Sequence, residues 1–309
     1  MTLNERGHTL ADRLAAAAAT LRIDVHSIAG ARVLDCGVKA PGGLQAGLGL
    51  ARACLADLAD VTLVPGEFGP AVQVQTDHPV AACMASQYAG WQISVGKDFA
   101  MASGPMRAHY GKEELFAHLP GRESAPVAVG VLEARKLPTD EVIAYLTERL
   151  GLGAEKLTLL VAPTASLAGT VQVVARSVET CLHKLHELKF DLSTIFSGYG
   201  TAPLPPPAKD DLAAIGRTND AILYGGRVNL WVRCDDEAIA AVGPKVPASA
   251  SGDYGAPFAE IFARYNHDFY KIDPLLFSPG LVSFHNLASG RTSTFGKTDV
   301  SVLRRSFGL

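Results

Sequence analysis

The sequence predicts an α/β protein built as two α/β domains, and three observations carry that expectation. Its 309 residues fit either one large domain or two ordinary ones, of which two are preferred. From 125 to 188 the pattern alternates strand, helix, strand, helix, the order of an α/β layer. Between 31 and 58 a short apolar strand runs into a glycine-rich turn and then a helix. The expected division is an N-terminal α/β domain over 1–120 and a second over 121–309, whose C-terminal segment can pack back on the first.

The elements follow in order. Residues 9–22 are alanine-rich and suit a surface helix, ARVLDCGV (31–38) is a buried strand entering APGG, and a helix covers 44–58. The turn between them either offers backbone N–H groups to an anion or uses its glycines only to turn, and its spacing matches no phosphate-binding fingerprint. VQVQTDHPVAACMASQYAGW (72–91) joins an alternating strand to a helix whose start is signalled by Asp77 and Pro79. Its tail places Gln87, Tyr88 and Trp91 either along the pocket of a flat heterocycle or, for the two aromatics, over a core. SGPMR (103–107) is too rich in Gly and Pro for helix or strand and is a turn. APVAVGVLEA (125–134) and KLTLLVAP are strands, 139–150 and 168–188 helices. GYGTAPLPPPAKDD (198–211) is a proline-rich connection, DLAAIGRTNDAILYGG a helix ending at glycines, and RVNLWVRC a strand.

Composition narrows the function classes. Hydrophobic residues make up 48% and charged residues 19% of the chain, the profile of a fully folded soluble protein. The net charge is −3 with no lysine and arginine run, so neither nucleic acid nor an anionic membrane is an expected partner. Cys36, Cys54, Cys83, Cys181 and Cys234 are dispersed and include no CxxC, as expected of reduced core thiols. LAAAAATL near the start is abutted by Asp12 and Arg13 and lacks a cleavage-like site, and no run reaches membrane-spanning length, so a cytoplasmic protein is expected.

The segment 168–188 carries the sharpest pattern. On a 3.6-residue period Val171, Val174, Val178, Leu182, Leu185 and Leu188 form one stripe. Gln172, Arg176, Glu179, His183 and His186, spaced four, three, four and three, form a polar ridge opposite, on which Arg176 and Glu179 can touch. Taken alone such a ridge faces water, where an ion pair contributes about 0–1 kcal/mol. The helix entrance argues otherwise. LTLLVAP ends in TASLAG, bringing hydroxyls and a glycine to the carboxyl edge of a strand, where α/β sheets bind ligands. A carboxylate beside a guanidinium there can face a cleft instead of water. His183 and His186 make HxxH, which lacks the HExxH spacing and a nearby third ligand, so no metal is expected.

Six strings go further: VLDCGVKAPGGLQAGLGLA, TDHPVAACMASQYAGW, ASGPMRA, APTASLAGTVQVVARSVETCLHKLHEL, PLPPPAKDDLAAIGRTNDAILYGG and FYKIDPLLFSPG. Together, and in this order, they resemble the methenyltetrahydromethanopterin cyclohydrolase family over roughly residues 30–290. The resemblance implies two α/β domains with a ligand pocket between them and a homo-oligomer, commonly a trimer. It implies hydrolysis of the methenyl bridge of a methanopterin-type one-carbon carrier to the 5-formyl form, with no metal or nucleotide cofactor. It also implies that Arg176 and Glu179, within ARSVET, are the catalytic pair. Glu179 would act as base and then acid, and Arg176 would orient and tune it. By position in the matching strings, Gln87, Tyr88, Trp91, Ser103, Gly104 and Arg107 are expected to bind substrate. The same holds for Thr164, Ser166, Arg217, Asn219 and Asp220, where Arg217 and Asp220 have an equal alternative as a surface pair.

Two rival functions are a formyl transfer on the same carrier, which needs a second substrate site, and a non-catalytic pterin-binding or assembly module. Dinucleotide and P-loop chemistry lack support, since GLGLAR and GYGTAP both miss GxGxxG and no GxxxxGK[ST] occurs.

Overall fold

A computed structural model of the chain describes residues 1–266, 268 and 271–309, so Phe269 and Tyr270 of the FYKIDPLLFSPG string lie outside the described residues. The strands are β1 (Asp24–Ile28), β2 (Ala31–Asp35), β3 (Asp60–Gly66), β4 (Gly69–Thr76), β5 (Trp91–Val95), β6 (Asp98–Ser103), β7 (Ala128–Glu133), β8 (Leu157–Ala162), β9 (Ile195–Pro203), β10 (Arg227–Val232), β11 (Leu281–Asn286) and β12 (Thr292–Gly296). The α-helices are α1 (Leu3–Ala16), α2 (Ala18–Leu21), α3 (Leu44–Cys54), α4 (Met106–Tyr110), α5 (Leu115–His118), α6 (Asp140–Leu150), α7 (Leu167–Val174), α8 (Ser177–Glu187), α9 (Asp211–Leu223), α10 (Asp236–Val242), α11 (Phe258–Arg264) and α12 (Val300–Phe307).

The chain forms two compact units, one of Met1–Ala59 and Ala81–Gln172, the other of Asp60–Val80 and Val173–Leu309. The expected spans, 1–120 and 121–309, are continuous in sequence and these are not. The reason is strand pairing: the β3–β4 hairpin lies early in the chain, yet β4 pairs with β9 from Ala71↔Pro203 to Thr76↔Gly198.

The first unit is a mixed sheet in the order β1-β2-β8-β7-β6-β5, with β2, β8 and β7 mutually parallel. Both faces of its centre are apolar. Val33, Leu159 and Val161 face a core completed by Val142, Ile143, Leu146 and Leu150 of α6. Leu34, Val129, Val131 and Leu160 face a core completed by Leu10 of α1 and by Ala46 and Leu50 of α3. Burial on both faces explains why these strands read as continuous apolar runs.

The second unit is a sheet in the order β12-β11-β10-β9-β4-β3, antiparallel except for β10 and β11. Helix α9 contacts β9, and α8 packs on the face of that strand that carries Gly198 and Gly200. On the other, Tyr199 donates to Gln73 at 2.8 Å, and the His285 ring contacts Asn229 and Thr292 and stacks on Trp231.

Three local differences from the sequence reading bear on the site. The helix after Pro79 is wound as a π-helix over Val80–Gln87, closed by the Tyr88 N–H donating to the Cys83 carbonyl five residues back. GYGTAP is not a connection but the body of β9, an interior strand. The expected helix 168–188 is interrupted at Ala175 and Arg176, giving α7 and α8.

Candidate active site

No proline or glycine lies between 170 and 188, so the interruption carries no breaker signal in the sequence. It is visible in the hydrogen bonds. The Arg176 N–H reaches back only three residues, to the Val173 carbonyl, and the Arg176 carbonyl accepts the Thr180 N–H that opens α8. Arg176 is thereby the N-terminal cap residue of α8, with φ −88° and ψ 9°, and Glu179 stands in the first turn. A carboxylate is favoured there by the unpaired N–H groups of the helix start.

Three of the five residues on the polar ridge, Gln172, Arg176 and Glu179, are buried. Arg176 Nη1 lies 3.9 Å from Glu179 Oε2, and each side chain is only 8% exposed. The separation is that of an ion pair and is longer than the direct hydrogen bond expected for the two. Gln172 is fully buried, and His183 is half-buried 3.8 Å from Glu187. Burial pushes His183 below its usual pKa, with Glu187 opposing the shift. On the apolar stripe Val178, Leu182 and Leu185 are fully buried toward the second sheet.

In the first unit, several nominated residues gather around one buried arginine. Arg107, with no exposed surface, donates to both Glu113 oxygens at 2.9 and 2.6 Å and to the Met84 and Ser86 carbonyls. Its guanidinium carbon sits 5.0 Å from the Tyr88 ring. The Gly104 N–H donates to the Ser86 carbonyl, and Gly104 turns at φ +90° close against the backbone of 129–131, a conformation that a residue with a side chain rarely adopts. Ser103 Oγ is 3.4 Å from Cys54 Sγ, which contacts Gln172 Oε1, whose amide in turn donates to Glu133. Gln87 is buried at the end of the π-helix. Trp91 stacks flat on Tyr110 at 4.1 Å inside the apolar core, the core alternative for that residue. Ser166 accepts the Gly169 N–H and donates to the Pro163 carbonyl, and the buried Thr164 accepts from Thr170 through its carbonyl, so both fix the start of α7.

In the second unit, Arg217 donates to the Pro206 and Pro207 carbonyls and Asn219 to the Ile215 carbonyl. Asp220 is not on the surface: it is fully buried, accepting the Phe258 N–H at 2.8 Å and the Ser306 hydroxyl at 2.5 Å. The surface pairing with Arg217 does not form, because Asp220 pins α11 and α12 to α9 instead. Burial raises its carboxyl to about 7, only partly offset by those two hydrogen bonds. An acid raised in the folded state contributes stability at low pH that is lost as pH climbs from about 4 through about 7. Asp220→Asn can still accept the Phe258 N–H through its oxygen, can donate from its amide to the Ser306 oxygen, and has no proton to lose. Its melting temperature relative to wild type is therefore expected to rise between pH 5 and pH 8, by an amount worth roughly 2 kcal/mol. Parallel melting curves for the two proteins across that range would contradict the assignment.

Two buried charges escaped the sequence reading. The Asp35 carboxylate, at the end of β2, accepts the N–H groups of Gly37, Val38, Lys39 and Ala40 at 2.6–3.1 Å. The anion held by these N–H groups is thus the protein's own, and the Gly42 N–H of the glycine-rich turn donates to the Arg22 carbonyl. Lys184 of α8, also buried, donates to the Leu275 carbonyl and ties the helix to the turn Pro274–Leu276. Neither carried a spacing signal.

All five cysteines are thiols, four of them buried. Among the described residues no three His, Cys, Asp or Glu side chains gather as a metal-binding group, and no helix is long and apolar enough to cross a membrane. Two α/β units with a carboxylate and a guanidinium buried together at a helix start make an α/β protein equipped for acid–base chemistry. The family model described as "Cyclohydrolase (MCH)" matches residues 2–307, and the chain belongs to this family. It is 54% identical over 292 residues to the methenyltetrahydromethanopterin cyclohydrolase of Rhodopirellula baltica, covering 92% of this chain and 88% of the relative. Relatives of the same name from Methylobacillus flagellatus, 46% identical over 312 residues, and Methanosarcina barkeri, 42% over 317, align with 99% and 100% of this chain and 95% and 99% of their own lengths. The match takes in the first 30 residues, which lie outside the strings that carry the resemblance.

Proposed function

We propose that this chain hydrolyses the methenyl bridge of a tetrahydromethanopterin-type carrier to the 5-formyl form, with Glu179 as base and then acid and Arg176 orienting and tuning it. What supports the reading is the name shared by the relatives, together with one geometric observation: the Arg176–Glu179 pair is nine-tenths buried in the first turn of α8. The methenyl carbon lies between two nitrogens that share a positive charge, so it is already electrophilic. Water adds to it as Glu179 takes one of the water protons. Glu179 returns that proton to the aryl nitrogen as the carbon–nitrogen bond breaks and the electron pair leaves with nitrogen. The hydroxyl oxygen closes to the formyl carbonyl and its proton passes to solvent. One cation and one water thus give one neutral formyl product and one proton. One carboxylate serves both transfers.

The remaining parts of the reading are a cytoplasmic homo-oligomer, a trimer by family habit, with neither metal nor nucleotide cofactor. The purified protein is expected to bleach the absorbance of the methenyl carrier and yield the 5-formyl derivative without a second substrate. That last point separates hydrolysis from formyl transfer, and turnover itself separates both from a binding module. Activity is expected to survive exhaustive dialysis against EDTA; a loss that zinc restores would overturn the metal-free reading.

A further inference from the structure

The strand β9 contains two glycines, Gly198 and Gly200, two residues apart and therefore on one face of the sheet. Both point at α8. Neither has a left-handed backbone, so any residue could adopt their conformation. Glycine in an interior strand is less favourable than alanine, so the reason for it must lie in space. A Cβ added at Gly200 would stand 2.5 Å from Ser177 Oγ and 2.8 Å from Val178 Cγ2. One added at Gly198 would stand 2.8 Å from Val178 Cγ1, with nothing else nearer than 3.7 Å. Ser177 and Val178 have no exposed surface, and the Ser177 hydroxyl makes no hydrogen bond among the described residues. They lie between Arg176 and Glu179 in sequence. The first turn of α8 therefore rests directly on bare backbone.

We propose that Gly198 and Gly200 are positioning residues: their missing side chains form the seat on which the first turn of α8 approaches β9, and this seat sets where Arg176 and Glu179 stand. The inference rests on the reading of Arg176 and Glu179 as the catalytic pair. A helix seated on side chains instead of glycines is held farther from the strand, by up to the several tenths of an ångström that the short contacts demand. Both groups move with it. Misplacement of catalytic groups on the ångström scale costs up to about 10²-fold in rate.

The test exploits the single close contact at Gly198. Gly198→Ala is expected to lower kcat by about tenfold or more while changing KM much less. Val178→Ala removes the atom that the new methyl would strike. The double variant Gly198→Ala/Val178→Ala is expected to recover kcat to within about threefold of Val178→Ala alone, as a relieved seat requires. A merely structural strand would lower the melting temperature of Gly198→Ala and leave kcat in place. Should Gly198→Ala not fold, the folded double variant still decides: wild-type-like kcat supports the seat and a slow enzyme overturns it. Glu179→Gln, measured alongside, separates the two readings. If it is slow while Gly198→Ala turns over within twofold of wild type, the seat fails and the catalytic pair stands. If Glu179→Gln itself turns over normally, the pair fails first.

Discussion

Glu179→Gln is expected to reduce kcat by about 10²- to 10⁴-fold, the range typical of a lost general acid–base group. Glutamine keeps the length of the side chain and its capacity for hydrogen bonds, so the first turn of α8 should still form. What it loses is the proton transfer: an amide neither takes a proton from water nor returns one to the leaving nitrogen. KM should change little, because the carboxylate is assigned to the reacting atoms and not to holding the carrier. Steady-state constants with the methenyl carrier and a melting curve measure both properties at once. A variant with wild-type kcat and a slightly lowered melting temperature would reduce the pair to a helix-start ion pair.

Arg176→Ala is expected to slow turnover as well, and to weaken the fold more than the glutamine variant does. Glu179 is only 8% exposed, and removing Arg176 takes away the cation paired with a buried carboxylate. Breaking a buried ion pair by deleting one member costs about 3–5 kcal/mol, far above the 0–1 kcal/mol of an exposed pair. Loss of the nearby positive charge favours the protonated carboxyl, so the variant should regain part of its rate as pH rises. Arg176→Lys restores charge without the planar fork and should fall between the two. Because both residues act on one proton-transfer unit, the double variant Arg176→Ala/Glu179→Gln should lose less than the product of the single losses. Strictly multiplicative losses would mean that the two act independently.

Much of the fold was legible for a local reason. The strands 31–35, 128–133 and 157–162 are short apolar runs bounded by glycine, proline and polar residues, and each lies where the sequence places it. The helices at 140–150 and 211–223 likewise follow from their periodicity and their ends. The break at Arg176 was not legible, since no residue there disfavours helix. GYGTAP misled for a physical reason: Gly and Pro signal turns when backbone conformation demands them, whereas Gly198 and Gly200 answer a helix packed from 20 residues earlier in the chain, information that no local window holds. Asp220 misled similarly. Beside Arg217 on a helix it reads as half of a surface pair, and only the arrival of Phe258 and Ser306 buries it.

The sequence by itself determined the α/β class, the apolar faces of the central strands, the strings that resemble the family and the three-residue spacing that lets Arg176 and Glu179 meet. Those properties depend on residue identity and on periods of two or 3.6, which are written along the chain. Only the tertiary structure decided that the β3–β4 hairpin belongs with the C-terminal half, that Arg107, Asp35 and Asp220 turn inward to bond the chain's own groups, and that Arg176 and Glu179 are buried. Burial and the partners of a charge are set by segments far apart in sequence. A helical wheel names the face, but what covers that face is chosen by the rest of the fold.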